Sequence, residues 1–376
     1  MRIAFNGQRL AGQRLGVGRY IEYMLRYWSG MLDDSDEVTV FLRRVIEPES
    51  LEYLGLSSLV KTKVLAPDIS GIPWENLRLG AASSGMDVLF CPAYSAPVAL
   101  GRTPLVLANH SVNEMQPGAH KWWYQHTYSR LYRHNAMQAA IVIAPCETTR
   151  GDIASFYGIP PERIAVVPQG SDDSFRPLED PERLKSVRVR FFGADRPFIL
   201  FVGKCSTRKN APMLIRAFAQ LKHEHHVPHG LLLFGPNPDN LPLAELCNEL
   251  GVADSVVQVD GKIKDHSELV EIYNAAEVFV HPSEFEGWSM VTVEALACGT
   301  PVIAANRGGL GEITRGHALM LDPPTVESLA DALYRVVTDD ELRLSLSKKA
   351  RARGMEFRWI DTARRTLEIV KAVGSG

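Results

Sequence analysis

The sequence is poor in cysteine, has no long apolar run and carries no excess of either charge. Five cysteines in 376 residues (Cys91, Cys146, Cys205, Cys247, Cys298) are far apart and odd in number. No C-x-x-C pair occurs, which argues against a structural zinc site and against a disulfide framework, and fits a reducing compartment. No stretch of about 18 apolar residues is present, so a membrane-spanning helix is not expected. The opening Met1-Arg2-Ile3-Ala4-Phe5-Asn6-Gly7 lacks the apolar region of a signal peptide and reads as a buried first strand. The expected location is the cytoplasm. Lys plus Arg is 41 and Asp plus Glu is 44, a formal net charge of -3, so there is no global basic field for nucleic acid. No low-complexity segment and no repeat of about 20–50 residues stands out.

What is present is an ordinary globular composition, 45% hydrophobic and 23% charged, arranged as short apolar runs separated by segments of helical spacing. In the first half the runs are 3–5, 38–41, 64–66, 88–91, 105–108, 141–144 and 164–167. In the second half they are 198–202, 231–234, 256–259, 278–281, 302–305 and 318–321. They are continuous rather than alternating, as expected of strands covered on both faces of a parallel sheet. Helical stretches such as 17–28, 211–222, 266–275 and 294–297 lie between them. The alternation predicts doubly wound α/β architecture, and the runs are too many for one open sheet. The polar stretch after Gln169-Gly170-Ser171-Asp172-Asp173 marks a break. Two Rossmann-like domains are expected, residues 1–172 and 173–358; the last helix, over 359–376, reads as a cap on the second domain or as a crossover helix that packs back on the first.

The segment most informative about chemistry is His281-Pro282-Ser283-Glu284-Phe285-Glu286-Gly287-Trp288-Ser289-Met290-Val291-Thr292-Val293-Glu294, followed by Ala295-Leu296-Ala297-Cys298-Gly299-Thr300-Pro301-Val302. A strand ending at His281 stands at the carboxyl edge of the sheet, where ligands bind in this architecture. Glu286 and Glu294 stand eight apart, one before and one within a helix, a spacing that lets two carboxylates hold hydroxyls at two ends of one polar ligand. The helix start between them offers free N–H groups and a positive dipole end, suited to phosphate. A second loop, Gly203-Lys204-Cys205-Ser206-Thr207-Arg208-Lys209-Asn210, places Lys204, Arg208 and Lys209 between a strand and a helix, a diphosphate cradle by chemistry. Walker A spacing is absent, which disfavours a P-loop ATPase.

These motifs resemble those of the GT4 family of retaining GT-B glycosyltransferases, the glycosyl transferases of group 1. Glu286-Gly287 through Glu294 is similar to the family's E-x7-E motif. Gly16-Val17-Gly18-Arg19-Tyr20 resembles its glycine-rich loop after the first strand. Ala108-Asn109-His110-Ser111 resembles its strand ending in His-Asp, and Val167-Pro168-Gln169-Gly170 its interdomain link. The resemblance covers nearly the whole chain. It implies two facing domains with an interdomain cleft, an acceptor-binding first domain and a nucleotide-sugar-binding second one, and for the last helix it implies the crossover that packs back on the first. Glu294 would bind ribose hydroxyls and Glu286 the donor sugar. Amides of Trp288, Ser289 and Met290 would approach the sugar and diphosphate, while Lys204 and Lys209 stabilise the leaving group. His110 would orient the donor or handle a proton, and Glu312 would lie in a loop near the donor. A nucleotide-sugar, UDP- or GDP-linked, would be the donor and a glycan or glycolipid the acceptor, with retention of configuration, no essential metal and no nucleic acid partner. Three departures stand out: Lys204 where many relatives have Arg, Ser289 where many have a second glycine, and Ser111 in place of Asp.

Other readings of the residues stay open at this point. Gly16 and Gly18 permit close backbone approach, but turn chemistry alone explains them. The third glycine of a dinucleotide fingerprint would fall at Ile21, which disfavours an NAD site. Glu312 also reads as a helix cap. Residues 120–134, aromatic and basic, read as a packed helix or as a peripheral membrane contact. His223, His225, His226 and His229 read as a solvated turn rather than a metal site. Cys146 and Cys205 read as small buried residues. Rivals to a transferase are a silent nucleotide-sugar-binding protein and a nucleotide-sugar epimerase.

Overall fold

A computed structural model describes residues 1–10, 16–46, 52, 54–69, 71–112, 115, 122–262 and 266–376. The chain divides into two compact units, Met1–Gly170 with Trp359–Gly376, and Ser171–Arg358.

The first unit holds a parallel sheet of seven strands: β1 (Arg2–Asn6), β2 (Glu37–Leu42), β3 (Val60–Val64), β4 (Val88–Cys91), β5 (Leu105–Ala108), β6 (Ile141–Ala144) and β7 (Ile164–Val166), ordered β3-β2-β1-β4-β5-β6-β7. The second holds six: β8 (Phe198–Val202), β9 (Gly230–Phe234), β10 (Val256–Val259), β11 (Val278–His281), β12 (Val302–Ala305) and β13 (Leu319–Leu321), ordered β10-β9-β8-β11-β12-β13. Along β8, Ile199 and Phe201 enter one hydrophobic core while Phe198, Leu200 and Val202 enter the other. Alternate side chains thus feed helices on both faces, which is why the run is apolar throughout. Helices Ala211–His225 and Val326–Thr338 cover one face, and His266–Ala275 and Met290–Cys298 the other.

One expected strand is displaced. Of the run 64–66 only Val64 lies in a strand; β3 is Val60–Val64, with sequence VKTKV. It is an edge strand with four of its five residues exposed, so a search for continuous apolar residues passes over it. The histidine-rich stretch also differs from the expected turn. His223 and His225 belong to the helix Ala211–His225, which ends when left-handed His226 turns its N–H onto Lys222 O. His229 is buried, with Nε2 3.2 Å from Glu277. Among the described residues no group of His, Cys, Asp and Glu is arranged to hold a metal.

The aromatic-basic segment is helical over Trp122–Gln138; His120 and Lys121 lie outside the described residues. Tyr132 and Ala136 are buried in the first unit's core with Tyr128 and Leu131 against it, while Arg130 and Arg133 are exposed. The last helix, Trp359–Ser375, is part of the first unit. Trp359 stacks on Tyr23 at 4.6 Å, Trp28 Nε1 donates to Ala363 O at 2.9 Å, and Thr362 Oγ1 donates to Pro168 O at 2.7 Å. Among the described residues no helix is long and apolar enough to cross a membrane.

Candidate functional site

The strand order of the second unit reverses between β8 and β11, and the two loops leaving those strands are tied together. Asn210 Nδ2 donates to Pro282 O (2.8 Å) and to Glu284 Oε1 (2.7 Å), and Glu284 N donates to Arg208 O (3.0 Å). The Arg208 guanidinium donates to Phe285 O. Gly203 adopts φ 133°, and a Cβ on it would lie 2.9 Å from Lys209 Nζ, so glycine lets Lys209 fold over the end of β8. Gly308, at φ 53°, allows a similarly close approach to Glu286: a Cβ there would lie 2.5 Å from its carbonyl oxygen.

Glu286 is the electrostatic centre. Its Oε1 gathers Arg208 and Lys209 at 3.3 Å each, His281 Nε2 at 3.3 Å and Ser283 Oγ at 3.1 Å. Oε2 accepts no hydrogen bond from a described residue. Burial alone would raise the carboxyl pKa; the Lys209 charge, the His281 hydrogen bond and the Arg208 charge outweigh it and hold it well below the usual carboxylate range. His281 is fully buried between Phe201 and Phe279. Burial, then the cations Lys209 and Arg208, lower its pKa despite Glu286. Its neutral ring therefore donates Nε2–H to Glu286, and Nδ1 finds no partner among the described residues.

Glu294 lies in the helix Met290–Cys298, 1% exposed, with Tyr273 Oη donating to its Oε2 at 3.2 Å. Ser289 takes the N-cap at an ordinary extended φ of -124°, and its hydroxyl accepts from Thr292 N at 3.4 Å. The serine thus supplies a cap that glycine cannot, while helix geometry gives the Met290 and Val291 amides ahead of Thr292 no intrahelical acceptor. Trp288 meets Phe357 edge-on at 5.3 Å, and its Nε1 is buried without a partner among the described residues. Lys204 is exposed and makes no ion pair with a described residue. The three cations of the loop therefore divide: Arg208 and Lys209 meet Glu286, and Lys204 stays in solvent. Glu312 is not a cap. It stands in the second turn of Gly308–Thr314, whose N-cap is Arg307, and its carbonyl accepts from Arg353 at 3.1 Å.

The remaining expected residues lie in the first unit. Gly16 caps the helix Val17–Trp28 at φ 52°, and a Cβ there would meet nothing within 4 Å. Conformation, not close packing, asks for glycine there. Gly18 is buried in the first helical turn. His110 sits edge-on to Tyr20 at 4.8 Å. Gln169 Nε2 donates to its Nδ1 (2.7 Å), and its Nε2 reaches Pro92 O (2.8 Å). Burial pushes its pKa down to about 4, only partly countered by the Pro92 hydrogen bond. The ring is neutral near pH 7 with both nitrogens engaged, which suits a fixed positioning element and leaves no free ring atom for a proton step. Cys146 and Cys205 are buried, and burial pushes the Cys205 thiol up to about 11 despite nearby Lys209. Neither is a poised nucleophile. The sequence motifs had not assigned roles to His281, Ser283, Asn210 or Tyr273; for His281 and Ser283 the signal was their place beside Glu286.

Two family models match the chain: Glycosyltransferase Family 4 over residues 15–175 and Glycosyl transferases group 1 over residues 183–353. The chain is 29% identical over 281 residues to D-inositol 3-phosphate glycosyltransferase of Corynebacterium urealyticum, a stretch covering 72% of this chain and 65% of that protein. It thus spans slightly less than two thirds of that curated relative. Among solved structures, sucrose-phosphate synthase from Thermosynechococcus elongatus superposes with a TM-score of 0.80 at 21% identity, over 100% of this chain and 99% of that one. Anabaena HepE in complex with UDP and glucose superposes with a TM-score of 0.80 at 19% identity, over 99% of this chain and 100% of that one. With its two parallel-sheet Rossmann-like units in the GT-B architecture, the chain belongs to the GT4 family of group 1 glycosyl transferases.

Proposed function

We propose that the protein transfers a sugar from a nucleotide-sugar, a UDP- or GDP-hexose, to a hydroxyl of a glycan or glycolipid acceptor with retention of configuration. The observation that carries this reading is the second unit's switch point, where Glu286 stays ionised with Oε1 neutralised and Oε2 left for a ligand. Oε2 would accept from a donor-sugar hydroxyl. Glu294, eight residues on and fixed by Tyr273, would accept from the ribose. The start of the helix Met290–Cys298 would face the diphosphate with its free amides. Lys209, Arg208 and Lys204 would hold the negative charge that builds on the departing diphosphate, the task a metal performs in other transferases. No metal is required in this scheme. The structures of relatives with UDP and glucose support a nucleotide-sugar donor, and the relative acting on an inositol phosphate supports a polyol acceptor.

The test is transfer by purified protein from UDP-glucose and GDP-mannose to a panel of glycosides, with product configuration read by NMR and an EDTA arm. A product with the donor's anomeric configuration, formed equally in EDTA, is expected. Donor conversion without acceptor would favour an epimerase. Donor binding without turnover would favour a silent binding protein. Activity lost in EDTA and restored by Mn²⁺ or Mg²⁺ would overturn the metal-free scheme.

A further inference from the structure

Strand β11 ends at His281, whose fully buried ring stacks on Phe201 at 6.2 Å and tilts against Phe279 at 5.8 Å. Phe201 belongs to the core on one face of the second sheet and Phe279 to the core on the other. An apolar ring would suit such a slot at no cost. His281 instead carries two polar nitrogens into it. Nδ1 has no partner among the described residues, and an unpaired buried polar atom is destabilising. Nε2 lies 3.3 Å from Glu286 Oε1. The polar ring is explained by what Nε2 holds.

Glu286 needs a fixed hold. A carboxylate turns readily about its last torsion, whose wells are broad. The other three donors to Oε1 adjust with it. Lys209 is a point charge on a flexible stem, and the Ser283 hydroxyl rotates. The Arg208 side chain is 37% exposed and also donates to the Phe285 carbonyl. Two cations alone would draw both carboxylate oxygens, and the side chain would then offer nothing to a ligand. The His281 N–H cannot adjust. Its ring is rigid, wedged between two aromatic side chains, and its backbone pairs in register with Ala304 of β12. Burial, then the Lys209 and Arg208 charges, keep the ring neutral, so it adds direction without a third charge.

We infer that His281 is a positioning residue: its Nε2–H fixes the Glu286 carboxylate so that Oε1 takes the cations and Oε2 stays turned to the ligand. The inference deepens the transfer reading above and rests on it for the identity of that ligand, the donor sugar. His281 acts through Glu286 and touches no substrate in this scheme. Without the N–H the carboxylate would rotate onto Lys209 and Arg208. The sugar hydroxyl would lose its acceptor while the ribose kept Glu294.

The experiment compares His281→Phe, His281→Gln and His281→Asn in the full chain, with the thermal midpoint of each measured. Steady-state kinetics use whichever of UDP-glucose and GDP-mannose is turned over, and calorimetry uses UDP and GDP. His281→Phe fills the slot without an N–H, and its kcat should fall about 10–100-fold with nucleoside diphosphate affinity unchanged. The glutamine amide nitrogen stands as many bonds from Cα as Nε2 does, so His281→Gln should recover most of the loss. The asparagine nitrogen stands where Nδ1 does, so His281→Asn should not. A merely structural ring would rank the variants the other way, with phenylalanine ahead of glutamine. His281→Phe at least as active as His281→Gln, or nucleoside diphosphate affinity falling in step with kcat, would overturn the inference. The tautomer supplies a test that needs no variant. NMR of wild-type protein labelled at histidine should show His281, identified by its contacts with the Phe201 and Phe279 rings, protonated at Nε2 and bare at Nδ1. An Nδ1–H tautomer would overturn the inference. The Nε2–H tautomer in a protein that transfers no sugar would keep the hold on Glu286 and remove the transfer reading.

Discussion

Both sheets reverse their strand order once, and a carboxylate stands at each reversal, but the two are held in opposite ways. Glu286, beside β8 and β11, has two cations and two neutral donors on one oxygen, and its pKa falls. Glu75, beside β1 and β4, has two neutral donors, and its pKa rises. The architecture places an acidic side chain at each crevice, and the neighbours decide its charge behaviour. Around Glu286 the cations exceed what one carboxylate neutralises, which suits a ligand carrying phosphates. Around Glu75 no ion pair forms among the described residues, and burial dominates.

The cationic half of this comparison is most directly broken at Lys209. Its ammonium lies 3.3 Å from Glu286 and folds over Gly203. If it stabilises the leaving diphosphate, Lys209→Ala lowers kcat by about 10²–10³-fold, and Lys209→Arg recovers part of the loss. Steady-state kinetics on protein of unchanged thermal stability provide the check. A kcat within about threefold of wild type would remove the assignment, and a change in KM alone would reduce Lys209 to uniform diphosphate binding. A smaller effect is expected at Glu294, which is buried and accepts a hydrogen bond from Tyr273. Glu294→Ala should weaken donor binding by about 1.5–3 kcal/mol, the range for a hydrogen bond to a charged group. Calorimetry with the nucleoside diphosphate alone tests this, and unchanged affinity would take Glu294 out of the site.

Much of this was legible in the sequence, for physical reasons. A strand buried on both faces must be apolar at every position, so β8, β11 and β12 announce themselves, whereas β3, exposed at the edge, reads VKTKV and does not. Glu286 and Glu294 were visible because their spacing is local to one loop and helix. The grip on Glu286 was only half visible: Arg208 and Lys209 were identified as cations, but their pairing with Glu286 comes from a loop more than 70 residues earlier in the chain. Glu75 left no sequence signal. It is a single acid in Ile72-Pro73-Trp74-Glu75-Asn76-Leu77, and its partners Asn6 and Ser95 lie 69 and 20 residues away. Burial and long-range partners, not residue type, set it apart. The expected proton role of His110 met the same limit, since Gln169 and Pro92 occupy its ring only after folding.

The smallest effect is also the one that sets the two carboxylates directly against each other. Glu75 has a folded-state pKa above its unfolded value, so its contribution to stability is complete below the ordinary carboxylate range and is lost as pH rises through the folded value. Glu286 has a folded-state pKa below its unfolded value, so its contribution is present above that range and lost as pH falls toward the folded value. Replacing each by glutamine removes opposite slopes. Relative to wild type, Glu75→Gln should gain stability in the first unit as pH rises above about 4, while Glu286→Gln should lose stability in the second as pH rises through the acid range up to about 5, with no further change above it. Because two units can unfold separately, one midpoint for the whole chain would blur the two slopes. Pulsed hydrogen exchange on urea-equilibrated protein reads β1 with β4 and β8 with β11 separately. Slopes of the same sign in both variants would break the comparison. A Glu75→Gln profile parallel to wild type would show that burial does not raise the Glu75 pKa in the folded protein.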